Sequence, residues 1–92
     1  MHYFVYVIVN KQHNSFYVGA TNNLGRRMYE HKHNIVEGLS RRCNAQLVYF
    51  KTFGNIDALI SARNETLDWV KQHKTVNITK TNPNWLDLTQ NL

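Results

Sequence analysis

The chain has 92 residues and a formal net charge of +5, from 11 Lys and Arg against 6 Asp and Glu. That length builds one domain, residues 1–92, with a modest core, and 42% hydrophobic against 18% charged residues excludes a disordered chain. No apolar run reaches the length of a membrane span and Met1-His2 leads straight into a strand pattern, so the expectation is a soluble cytoplasmic protein whose basic charge suits a polyanion.

The chain opens on Tyr3 to Val9, a β-branched and aromatic run that reads as a central strand buried on both faces. Asn10 to Ser15 is polar turn material, and Phe16 to Gly19 is a second short strand. Thr21 and Asn22 are good N-caps for the helix that follows, where Leu24, Met28, His31 and Ile35 recur at helical spacing. Tyr6 and Tyr17 thus fall on neighbouring antiparallel strands. Arg27 and His31, four apart, share the helical face that crosses them. Two phenols, a guanidinium and an imidazole on one patch form a group able to handle a phosphodiester.

Asn34 to Asn44 reads as a surface loop around Gly38 and the pair Arg41-Arg42, a candidate phosphate clamp together with Arg26 and Lys32. Its one cysteine, Cys43, excludes an internal disulfide and reads as a small loop residue. His31 and His33, two apart, point to different sides of a helix, so zinc is not implied. Gln46 to Phe53 is aromatic-rich and alternating, a third strand with Leu47 and Tyr49 on one face and Val48 and Phe50 on the other. After Gly54-Asn55, Asp57 caps a helix to about His73 with apolar residues Ile56, Leu59, Ile60, Leu67 and Val70. Val76 and Ile78 suggest a brief extended piece. Asn82-Pro83 breaks regular structure, and Trp85, Leu86 and Leu88 fold back as a hydrophobic clasp. The expected architecture is α+β: a three-stranded antiparallel sheet packed by at least two helices.

These elements resemble the GIY-YIG nuclease superfamily, and its small single-domain branch in particular. Phe4-Val5-Tyr6 stands where the family has Gly-Ile-Tyr, and Tyr17-Val18-Gly19 where it has Tyr-Ile-Gly. Thr21 to His31 resembles its Thr-x-x-Leu-x-x-Arg-x-x-x-His helix, Gly38 to Arg42 its Gly-Phe-Thr-Lys-Lys segment, and Asn82 to Leu88 its Asn-Pro-Glu-Trp-x-Asp-Leu ending. The resemblance implies a metal-dependent endonuclease or DNA-processing domain with nucleic acid as partner, DNA ahead of RNA, and a divalent cation, Mg²⁺ or Mn²⁺, as cofactor. Its catalytic residues are then Tyr6, Tyr17, Arg27 and His31, while a late asparagine, here Asn82, has local turn chemistry as its simpler explanation.

The pattern departs from the family in the second long helix. Aligned without gaps, the family's cation-binding glutamate falls on Arg63, and a helical wheel puts Arg63 amid the apolar residues with Glu65 facing solvent. An arginine repels a divalent ion. Three readings stay open: Glu65 reaches the site as metal ligand by a slip in register; Glu30 or Glu37 serves instead; or Arg63 contacts phosphate in a domain that binds nucleic acid without cleaving it efficiently. A protein-interaction domain for an acidic partner is a further alternative.

Overall fold

The structure is a computed structural model that describes residues 2–10, 15–32 and 45–91. Three strands, β1 (Tyr3–Val9), β2 (Phe16–Thr21) and β3 (Gln46–Phe53), form one antiparallel sheet in the order β2-β1-β3. β1 is the central strand because both of its faces are apolar, and Val5 to Val9 are all buried. Three helices, α1 (Leu24–Lys32), α2 (Ile56–Lys71) and α3 (Val76–Thr81), and a short 3₁₀ turn (Leu88–Asn91) complete the α+β architecture.

The strand period of two divides the core between the two faces. On one face Tyr6, Ile8 and Leu47 pack against Leu24 and Met28 of α1. On the other, Val5, Val7, Val9 and Val48 pack against Leu59 of α2 and Ile78 of α3. β3 does not alternate evenly: Ile8 pairs with Leu47 but Val7 with Tyr49, so Val48 is an extra residue and the strand carries a bulge. Leu47 and Phe50 therefore share the α1 face and Val48 and Tyr49 the α2 face, in place of the regular alternation expected.

Both long helices start one or two residues away from the expected caps. Asn23 caps α1 by accepting from Arg26 N–H at 3.1 Å, while Thr21 Oγ1 accepts from Asn23 N–H. Asn55, not Asp57, caps α2 by accepting from Ala58 N–H at 2.8 Å. α2 ends with His73 in the left-handed region (φ 58°), closed by Lys74 N–H to Trp69 O and His73 N–H to Val70 O. Val76 to Thr81 is helical, not extended, and ends at Asn82, whose buried amide ties Val48 O and Leu86 O together. That work is structural, as the turn chemistry implied. Trp85 packs edge-on against Phe16 and Leu88 joins the α1-side core, whereas Leu86 is 63% exposed.

The packed face of α2 also differs from the wheel. Leu59 and Thr66 are buried with Ala62, Trp69 and Val70 beside them, while Ile56 and Ile60 are more than half exposed. The helix is turned roughly 60° from its apolar stripe, of which Leu59, Leu67 and Val70 still pack on the core. Ala62 and Thr66 are small, and Thr66 satisfies its own hydroxyl on Ala62 O at 2.7 Å, so this face approaches the sheet closely without a stranded polar group. Among the described residues no helix is long and apolar enough to cross a membrane.

Candidate active site

The site grows from the pairing of β1 with β2. Tyr6 lies opposite Gly19 and Ile8 opposite Tyr17, so the two tyrosines stand on the same face, the one α1 crosses. Their rings are 6.2 Å apart. α1 brings His31 over both: its Nε2 is 3.3 Å from Tyr6 Oη, and its ring centre is 5.1 Å from that of Tyr17, edge to face. Arg27, one turn earlier, interacts with the Tyr6 hydroxyl and lies near Tyr17. The four residues expected to converge are together.

They do not share one open surface. Tyr6 is fully buried and His31 nearly so, at 2% exposure, while the Arg27 side chain retains 33% and Tyr17 is half-buried. The single patch expected of the four polar ends is instead two layers, because burial of the strand centre sets Tyr6 and His31 behind Arg27 and Tyr17. Burial raises the Tyr6 phenol above its ordinary range although Arg27 pulls the other way, so it stays protonated at neutral pH. Burial, then the Arg27 charge, lowers the His31 imidazole, which is neutral there. One proton lies between Tyr6 Oη and His31 Nε2.

Two further residues shape this group, Gly19 of the second motif and Glu30, which the sequence offered only as a substitute cation ligand. A Cβ at Gly19 would run into Tyr6 Cζ and Oη, so the glycine makes room for the phenol. Its signal was its place opposite Tyr6 in the hairpin. Glu30 accepts from Arg27 Nη1 at 3.3 Å and pairs with Arg26 Nε at 3.6 Å, spacings already visible as i+3 and i+4. With Ala20 to Asn23 these three side chains line a cavity of about 300 Å³ at the start of α1.

The other candidates lie elsewhere. Lys32 is engaged internally, donating to Asp87 at 2.7 Å and to Ala45 O at 2.9 Å. Asp87 also accepts from Leu47 N–H and Thr89, anchoring the chain's end to β3. Arg63 is exposed on α2 rather than directed inward, because the helix is turned toward Thr66. Glu65 borders a cavity with Tyr49, Lys51 and Trp69 on the opposite face of the sheet, away from the tyrosine–histidine cluster. Arg41, Arg42 and Glu37 lie outside the described residues.

Among the described residues no group of three or more His, Cys, Asp or Glu could hold a metal ion. Glu65 is on the wrong face, and Glu30, the carboxylate beside Arg27, is bridged by two guanidiniums that oppose a second positive charge. The described residues do not fit the single-glutamate cation site.

An α+β domain that sets an arginine and a histidine from one helix over two strand tyrosines is built as a nuclease-type fold. A family model described as the GIY-YIG catalytic domain matches residues 2–82, and the chain belongs to that family. The match points to nuclease or DNA-processing function and to a nucleic-acid substrate. No curated protein and no solved structure matches the sequence.

Proposed function

We propose that the domain cleaves phosphodiester bonds of nucleic acid, DNA before RNA, with Arg27 and Tyr17 as the groups that meet the backbone. The observation that supports this reading most is the convergence of Tyr6, Tyr17, Arg27 and His31 on one sheet face. Arg27 offers a planar fork to the charge that builds on a phosphate during cleavage. His31, neutral and in ring contact with Tyr17, is in the protonation state needed to accept a proton arriving from the substrate side. Tyr6 is a positioning residue, shared between Arg27 and His31.

A second reading, a nucleic-acid-binding domain with impaired cleavage, is favoured by the position of Glu65 across the sheet and by the engagement of Glu30 with two arginines. Incubating plasmid and branched DNA with the protein in Mg²⁺ and in Mn²⁺, beside Arg27→Ala and Tyr17→Phe, separates the two. Cleavage by the wild type that either substitution abolishes supports the first. Salt-dependent binding without cleavage supports the second, and absence of both would leave the acidic-partner alternative.

A further inference from the structure

We propose that the groove between Phe4 and the start of α1 receives an unpaired nucleobase, so that the domain takes its nucleic acid where the strand is single or unpaired. The proposal rests on the phosphodiester reading and names the substrate form within it. β1 alternation puts Phe4 on the same face as Tyr6, about 7 Å along the strand. Phe4 is half-buried, and with His2, Leu24 and Gly25 it walls an open cavity of about 410 Å³.

Asn22 and Asn23 form the far wall of that cavity and also line the one that holds Arg26 and Arg27. An apolar, aromatic compartment and a cationic one thus share a wall, which is the order of chemistry along a nucleotide: a base beside its phosphate. Phe4 packs one side against the α1-side core and leaves the rest of its half-buried ring to the cavity.

The occupant follows from continuity and charge. A chain of net charge +5 with two arginines at the adjoining cavity draws a polyanion. A base inside a duplex hides its face in the stack, whereas an unpaired base offers that face to an aromatic side chain. The exposed Asn22 amide makes no side-chain hydrogen bond among the described residues and stands at the rim, able both to donate to a base edge and to accept from it. A purely apolar ligand would leave the neighbouring arginines unused.

The experiment compares binding of a labelled single strand, on the order of 12 nucleotides long, with the duplex of the same sequence by fluorescence anisotropy over a salt series. Wild type, Phe4→Leu and Phe4→Tyr are measured, each checked by a thermal melt. The expected result is tighter binding of the single strand by wild type and Phe4→Tyr, and a loss of about 5- to 100-fold for Phe4→Leu on the single strand alone. The salt slope should not change, because the phosphate contacts remain. Equal loss on both forms, or no loss on the single strand, overturns the proposal while leaving the phosphodiester reading intact. Failure of the wild type to bind either form overturns both.

Discussion

Replacing Gly19 with alanine tests the geometry of the site without touching any group that carries charge. On the backbone alone the change favours folding by about 0.4–1 kcal/mol, because alanine has fewer unfolded conformations to lose. Gly19 pairs with Tyr6 across the hairpin, however, and its new Cβ would overlap both Cζ and Oη of that ring. Tyr6 is fully buried and held by His31, so it cannot swing into solvent as a surface side chain would. Overpacking of this kind costs about 1–3 kcal/mol, which outweighs the backbone gain. For a domain of this size each kcal/mol moves the melting temperature by roughly 4–8 °C.

Gly19→Ala should therefore melt several degrees below wild type, read by circular dichroism or differential scanning fluorimetry. Tyr6→Phe in the same chain should rescue only part of the loss, since Cζ remains in contact when Oη is gone. Tyr6→Leu removes the ring and should leave Gly19→Ala nearly free of cost, a coupling that a double-mutant cycle measures. A Gly19→Ala protein as stable as wild type would refute the placement of Tyr6 beneath β2, and the site built on it.

Arg27→Ala should reduce DNA binding and any cleavage at least tenfold while shifting the melt by only a few degrees, since the side chain is one-third exposed and its ion pair contributes little to stability; equal activity would remove Arg27 from the site. Glu65→Ala should leave DNA binding, any cleavage and the melting temperature within error of wild type, and loss of cleavage would place Glu65 at the reaction after all. His73→Gly should raise the melting temperature by a few degrees, because the left-handed backbone at φ 58° costs a non-glycine residue about 1 kcal/mol, and an unchanged melt would count against that C-cap. Burial alone would raise the Asp87 carboxyl, but hydrogen bonds from Lys32, Thr89 and Leu47 outweigh it and hold it below its usual range. Its stabilisation is thus present above the unfolded carboxylate pKa of about 3.9 and lost as pH falls through the lower folded value. Asp87→Asn should flatten that acid limb in melts taken from pH 6 to about 2.

The strands and the site were legible because both obey short-range rules. Tyr3 to Val9 could only be a strand apolar on both faces, and Arg27 with His31 could only share a helical face once the helix was placed. What was not legible depended on contacts that no period encodes. The wheel for α2 weighed Ile56 and Ile60 as core, but close approach favoured the smaller Ala62 and Thr66, and a hydroxyl satisfied within its own turn concealed the buried face. The bulge at Val48 likewise reassigned Tyr49, because an even alternation carries no mark of an inserted residue. Val76 to Thr81, β-branched and threonine-rich, reads as extended by propensity; burial of Ile78 against the α2 face holds it helical.

The charge arrangement at the mouth of the site favours an anion over a cation. Arg26 and Arg27 meet a single carboxylate, Glu30, so the described side chains of that cavity leave one positive charge in excess. The N-terminus of α1 adds a partial positive charge from its free N–H groups, and Asn23 uses only one of them, that of Arg26. His31, which would add another charge if protonated, is kept neutral by its burial and by Arg27 itself. An arriving phosphate therefore meets guanidiniums whose resident partner is a carboxylate at 3.3 and 3.6 Å, partly open to solvent and held by no other ion pair among the described residues. Exchange of one oxyanion for another keeps both arginines paired throughout, whereas a divalent cation seated on Glu30 would strip them of their partner and then repel them.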